Sequence, residues 1–303
     1  MSFSLTILGS SSALPTSSRF PTAQVLNVHE RFFLIDCGEG TQIQLRKFKI
    51  PFNKIDNVFI SHLHGDHYFG LFGLISSFSL LGRKNTLNIY GPPGLQKILD
   101  FNSGLYDEPL NYSIRFIPLK AKGVNLIYND KHLNIFSLPL KHRIVTSGFI
   151  FKENMGLYKL RKEAIDEFQL TVNDIRKIKT GEDFIDADGY HIPNYKLTIP
   201  PDKPRSYAYC SDTMYSESIA KHINGVDLLY HEATFLEEMK ERAWETGHST
   251  AIQAARLAKK ANAGKLMLGH FSARYKTYDA FLSEAKSEFE DVIIAEDGMT
   301  LNI

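Results

Sequence analysis

Cysteine is scarce in this chain: only Cys37 and Cys210 occur in 303 residues. Two cysteines cannot build a disulfide framework, so the fold must rest on an apolar core, and a reducing cytoplasm is the expected setting. Both lie in strand-like apolar surroundings and read as buried free thiols. Long apolar runs are missing as well. Nothing approaches the roughly 20 residues that span a bilayer, so no membrane association is expected. Met1-Ser2-Phe3-Ser4-Leu5 has no basic segment ahead of a long apolar core and reads as a first strand, not a signal peptide. An excess of one charge is also absent. The formal net charge is +1, which excludes a global basic field. DNA is not an expected partner, and any nucleic-acid binding must come from local patches. Hydrophobic residues at 43% and charged residues at 23% give a globular composition with core enough for one large domain or two small ones.

What the chain does have is Ser61-His62-Leu63-His64-Gly65-Asp66-His67, directly after the apolar Val58-Phe59-Ile60. Residues two apart point to nearly opposite sides of a helix, so His62 and His64 could not share an ion there. At the end of a strand they can, because alternate side chains share a face. Gly65 lets the chain turn and bring Asp66 and His67 beside them. Imidazole nitrogens and a carboxylate oxygen form a donor set that suits zinc. The alternative is a histidine-rich surface loop.

The first half of the chain reads as strands and turns. Strands are expected at Phe3 to Leu8, Ala23 to Val28, Phe32 to Ile35, Val58 to Ser61, Leu87 to Tyr90, Ile114 to Pro118 and Leu133 to Leu138. Helices are expected at Gln42 to Lys49, Tyr68 to Leu81 and Gly94 to Asn102. From Lys152 to Pro201 the pattern turns charged, with Lys159, Arg161, Lys162, Arg176, Lys177 and Lys179 interleaved with acids. This excursion holds a polar helix near Lys162 to Phe168 and then turn-rich sequence. It reads as an arm or as a plain solvated connection. Strands return at Ser206 to Cys210, Leu228 to Tyr230, Lys265 to Leu268, Val292 to Ala295 and Met299 to Ile303, with a helix from Thr250 to Ala261. Two similar halves of strands and helices suggest sheets inside and helices outside.

The remaining candidates share one arrangement, in which a short apolar strand ends and a ligand-type residue follows. His142 follows Phe136-Ser137-Leu138-Pro139-Leu140, Asp212 follows Tyr207-Ala208-Tyr209-Cys210, and His270 follows Leu266-Met267-Leu268. Strand ends can converge at one sheet edge, where open α/β folds build their sites. Each residue alone is a weak signal; their common placement strengthens it.

With these residues in view, the chain from Leu8 onward resembles the metallo-β-lactamase superfamily and, within it, the ribonuclease Z family of tRNA 3′-processing endonucleases. The histidine run alone marks the superfamily. Asp36-Cys37-Gly38-Glu39-Gly40-Thr41-Gln42, His231-Glu232-Ala233-Thr234, Gly247-His248-Ser249-Thr250 and His270-Phe271-Ser272-Ala273-Arg274-Tyr275 are more specific to ribonuclease Z. The resemblance implies an α/β fold, the αββα sandwich of two mixed β-sheets flanked by helices. It spans residues 1–303 as one domain, with 152–201 inserted as a flexible tRNA-binding arm. The Gly-Pro pair common in that arm is absent here, where Leu170-Thr171-Val172-Asn173-Asp174 stands instead.

The resemblance further implies two zinc ions per chain, with Mn2+ or Co2+ as substitutes. One would be held by His62, His64 and His142, the other by Asp66, His67 and His270, with Asp212 between them. Asp66 would ligate and accept a proton from water. His248 would donate a proton to the leaving oxygen or contact the cleaved phosphate, and Glu232 would orient it. Gly247-His248-Ser249 also reads simply as a helix start with Ser249 as N-cap. Ser272 and Arg274 would bind backbone phosphate. Asp36 would either hydrogen-bond a ligating imidazole from behind or cap its own turn. The implied partners are precursor tRNA and a second copy of the chain in a homodimer. The expected reaction removes the 3′ trailer, leaving a 3′-hydroxyl on the tRNA and a 5′-phosphate on the trailer. The alternative is a hydrolase of the same fold acting on a small phosphodiester, sulfate ester or lactone. A third possibility, a non-catalytic RNA-binding relative, is disfavoured because the ligand set is complete.

Overall fold

Apolar strands covered on both faces read as nearly continuous hydrophobic runs, and the strand Phe3–Gly9 is of this kind, with all but one of its residues buried. The structure, a computed structural model, describes residues 2–104 and 110–303. These form two units. The larger takes the residues up to Tyr128 together with Ile135–Phe151 and Ser206–Ile303. The smaller takes Asn129–Asn134 and Lys152–Arg205.

The larger unit is built on two seven-stranded sheets. The first has the order Thr300–Asn302, Phe3–Gly9, Ala23–Val28, Arg31–Ile35, Ile55–Phe59, Leu87–Gly91, Ile114–Pro118. The second has the order Val292–Ile294, Lys265–Gly269, Leu228–Glu232, Ser206–Cys210, Thr146–Glu153, Leu133–Leu140, Asn125–Asn129. Aromatic rings fill the space between them: Phe59 stacks on Tyr90 at 4.5 Å and meets Phe149 and Phe151 at 5.4 and 5.7 Å. Helices cover the outer faces. Ala251, Ala254, Ala255 and Ala258 line the buried side of the helix Ala251–Lys260, and these small residues let it lie close on Leu266 and Leu268. This is the sandwich the resemblance implies.

Topology places the site. In the first sheet the strands from Arg31–Ile35 onward run parallel, with Ile35 beside Phe59. In the second, Cys210 lies beside His231 and Glu232 beside Gly269, also in parallel register. The carboxyl ends of these strands therefore line up, and the chain leaves them through Asp36, through Ser61 to His67, and through Asp212, Glu232 and His270. A tight approach locks the first of these exits: a Cβ on Gly70 would lie 2.0 Å from the Gly38 carbonyl oxygen, and Gly70 N donates to Cys37 O at 2.9 Å.

The smaller unit has its own core of Ala164, Leu170, Ile178 and Leu197. Asn194 ties it together from inside, donating to Ile178 O and Glu182 O at 2.7 and 2.8 Å. Its ends are closed by Arg205, whose guanidinium pairs with Glu153 at 2.8 Å.

Several local expectations need correction. The single helix expected from Tyr68 to Leu81 is two, Gly65–Tyr68 and Gly70–Leu80. The turn-rich reading after Phe168 misses the helix Val172–Lys179, which a Thr171–Asp174 capping box starts. The sequence reading also misses the strand Thr146–Glu153. Both cysteines are buried and unpaired, and burial pushes each thiol up to about 12. Among the described residues no helix is long and apolar enough to cross a membrane.

Candidate metal centre and cleft

The strand ends bring five histidines and two aspartates together. His62 Nε2 lies 3.0 Å from His64 Nδ1 and 3.5 Å from Asp212 Oδ2. His142 Nε2 lies 3.3 Å from His64 Nδ1 and 3.8 Å from the same Asp212 oxygen. Beside this set, His67 Nε2 and His270 Nε2 each lie 3.4 Å from Asp66 Oδ2. They lie 3.3 and 3.2 Å from Asp212 Oδ1. Asp212 thus offers one oxygen to each set.

These spacings fit a metal. Four donors placed tetrahedrally about 2.0–2.1 Å from an ion would sit about 3.3–3.4 Å apart. The second set has every one of its four quoted spacings within 3.2–3.4 Å. His67 Nε2 is buried and makes no hydrogen bond, although it faces both carboxylates. In three of these histidines the ring nitrogen that points away from the centre has a partner. His142 Nδ1 meets Gly247 O at 2.7 Å, His270 Nδ1 meets Thr234 Oγ1 at 3.0 Å, and His67 Nδ1 meets Asp36 Oδ2 at 2.7 Å. Such contacts fix which nitrogen keeps its lone pair.

Charge follows the same logic. Burial drives His62, His64 and His142 below the ordinary imidazole value, leaving neutral donors. Burial alone would raise Asp66 and Asp212. The imidazoles beside them, led by His67 for Asp66 and by His270 for Asp212, instead hold both far below the usual carboxylate range. Burial opposes a charged His67, but Asp66, Asp212 and Asp36 raise it well above its ordinary value. Three carboxylates around one imidazole mark a centre built to take positive charge.

His248 stands at the rim. Burial works against its charge, but Glu232 Oε1 at 3.0 Å outweighs this and raises the imidazole to about 9. Glu232 is fully buried and also accepts from Thr213 N, Thr234 N and Ser249 N at 3.1, 2.9 and 3.0 Å. Gly247 before it adopts φ +81, and a Cβ there would meet His142 Nδ1 at 2.8 Å, so only glycine fits. Ser249 is not the helix cap. Its hydroxyl donates to Thr213 O, and Thr250 caps the helix in a box with Gln253.

A cleft of about 570 Å3 opens over the centre, lined by His64, Asp66, Asp212, His248 and His270 together with Leu14, Phe69 and Arg143. The loop over its edge is pinned by Ala13, whose amide donates to Asp66 Oδ2 at 2.8 Å. Ala13, Asp36 and His270 all have left-handed backbones, with φ of 52, 54 and 58, a costly conformation for residues other than glycine. Sequence reasoning missed Arg143 and the Ala13 amide; the position of Arg143 directly after His142 was the available signal. Arg274 and Ser272 bond each other at 3.3 Å, with the guanidinium over Phe235. Phe235 in turn lies 6.2 Å from the His248 ring. His231 is fully buried and bonds the Glu232 carbonyl at 2.7 Å.

Known proteins resemble this chain from end to end. Residues 3–113 match the family model described as Anti-Pycsar protein Apyc1, and residues 167–271 match a beta-lactamase superfamily domain. The chain is 27% identical to human tRNase Z, short form, in its crystal structure, with a TM-score of 0.71 and 98% of each chain covered. It shares its fold with the metallo-beta-lactamase fold protein YhfI from Bacillus subtilis, at 19% identity, a TM-score of 0.71 and 99% of each chain. Ribonuclease Z of Bacteroides fragilis is 44% identical over 99% of both chains. That of Phocaeicola vulgatus is 45% identical over 99% of this chain and 97% of its own. With such identity from end to end, the chain belongs to the ribonuclease Z family.

Proposed function

We propose that this protein removes the 3′ trailer from precursor tRNA at a centre of two zinc ions, leaving a 3′-hydroxyl on the tRNA and a 5′-phosphate on the trailer. His62, His64, His142 and Asp212 Oδ2 would hold one ion. Asp66, His67, His270 and Asp212 Oδ1 would hold the other. The observation that carries this reading is the division of Asp212, one oxygen facing each donor set. Ions held there supply positive charge for the scissile phosphate and lower the pKa of water at the site toward neutrality. Mn2+ or Co2+ suits the same donors.

The chain's own groups do the rest. Asp66, ionised and held by the Ala13 amide, takes the proton of the attacking water. His248 uses Nδ1 to bond Glu232, so Nε2 is left to give a proton to O3′ of the tRNA as the P–O3′ bond breaks. With its value raised to about 9, His248 carries that proton at neutral pH. Arg143 in the cleft lining offers a planar donor fork to a phosphate. Ser272 and Arg274 would meet the RNA backbone further out. The smaller unit would serve as the arm that grips the tRNA body. The working form would be a cytoplasmic homodimer.

Incubation with labelled precursor tRNA, with and without chelator, tests this directly. A single new 3′-hydroxyl end that disappears with chelator and returns with zinc is the expected result. Cleavage indifferent to chelator, or a 3′-phosphate end, would overturn it.

A further inference from the structure

Asp36 is fully buried and its carboxylate takes four hydrogen bonds. Ser61 N donates to Oδ1 at 2.7 Å. Ser61 Oγ, His67 Nδ1 and the Tyr209 hydroxyl reach Oδ2 at 2.8, 2.7 and 2.6 Å. A buried carboxylate is costly unless it is satisfied in this way. The network also decides tautomers. The one proton of Ser61 Oγ goes to Asp36, so toward His62 Nδ1, 3.0 Å away, the hydroxyl is an acceptor. His62 Nδ1 therefore carries the ring proton and Nε2 keeps its lone pair for the centre. His67 gives its Nδ1 proton to Asp36, and its Nε2 faces Asp66 and Asp212. One carboxylate thus sets an imidazole in each donor set.

Ser61 and His67 belong to the one segment that follows the strand Ile55–Phe59, Ser61 in the connecting loop and His67 in the short helix Gly65–Tyr68. Only Tyr209 among the four contacts comes from the opposite sheet. It lies on the strand Ser206–Cys210, three residues before Asp212. Its ring is fixed by stacking on Tyr230 at 5.1 Å and by lying parallel to Phe149 at 6.4 Å, so its hydroxyl has a defined position.

We propose that Tyr209 is a positioning residue of the metal centre: from the second sheet its hydroxyl orients Asp36, and through Asp36 and Ser61 it fixes which nitrogens His62 and His67 present. The strand that delivers Asp212 thereby also sets the ligands delivered by the other sheet. This rests on the reading of the cluster as a zinc site.

Tyr209→Phe removes only the hydroxyl. The loaded variant is expected to lose zinc to a chromogenic chelator about 10-fold faster or more, in the range for partners behind a metal ligand. The double variant with Asp36→Asn is expected to lose zinc no faster than Asp36→Asn alone, since both act by one route. Histidine 15N shifts of the zinc-loaded wild type are expected to place the ring proton on Nδ1 of both His62 and His67. Zinc release unchanged in Tyr209→Phe overturns the proposal, even where thermal stability falls. So does additive loss in the double variant, or an Nε2 proton on either histidine. If the wild-type protein binds no zinc, the metal-centre reading fails first and is distinguished from failure of the Tyr209 role alone.

Discussion

His248 Nδ1 sits 3.0 Å from Glu232 Oε1, and that carboxylate is fully buried. The pair is held from behind by backbone amides, so the imidazole cannot turn without abandoning a buried charge. Replacing His248 by Ala should lower kcat by about 10²–10⁴-fold, the range for a positioned proton donor. Glu232→Gln should lower kcat in the same direction while KM for precursor tRNA changes little. Steady-state kinetics on one labelled substrate checks both; a change confined to KM would remove His248 from proton transfer.

Asp66→Ala should eliminate nearly all cleavage and leave RNA affinity largely intact, measured by gel shift beside turnover. Lost binding with retained turnover would contradict the assigned role.

Metal stoichiometry separates the two donor sets. Wild-type protein should carry close to two zinc equivalents per chain by elemental analysis. His142→Ala or His270→Ala should lower this toward one, because each residue serves one set. Asp212→Ala should lower it toward zero, because its oxygens face both sets. Acid should release metal, since each imidazole must be unprotonated to bind; retention measured by dialysis should fall with pH and not rise.

Residues 155–203, most of the smaller unit, can be excised between ends that already meet: Glu153 and Arg205 are joined by their side chains and by Glu153 N to Arg205 O at 2.9 Å. Replacing residues 155–203 with a short Gly-Ser linker should abolish precursor cleavage and spare hydrolysis of a small chromogenic phosphodiester. Equal survival of both activities would deny the arm its role.

Ile178 is buried in the four-residue core of that unit. Ile178→Ala should destabilise it by about 2–4 kcal/mol. Limited proteolysis should then cut within 152–205 while the sandwich melts as before.

Much of the centre was legible in the sequence because its signals are local. His62, His64, Asp66 and His67 sit in one run, and the strand-then-ligand pattern marked His142, Asp212 and His270. What escaped depends on distant segments meeting. The Ala13 amide reaches Asp66 from 53 positions away, and no periodicity announces a backbone donor. Ser and Thr are both good caps, so the sequence points to Ser249 as readily as to Thr250; the box that Thr250 forms with Gln253 decides between them. The helix Val172–Lys179 hid because it buries little besides Ile178. Its capping box, Thr171 with Asp174, was readable but looked like turn sequence.

The left-handed residues at Ala13, Asp36 and His270 set fold and chemistry against each other. Glycine at any of them would ease the backbone while deleting or loosening a group aimed at the centre. A laboratory selection for heat tolerance alone should drift toward glycine at Ala13, where no side-chain chemistry is lost. Joint selection for turnover should hold Asp36 and His270 fixed.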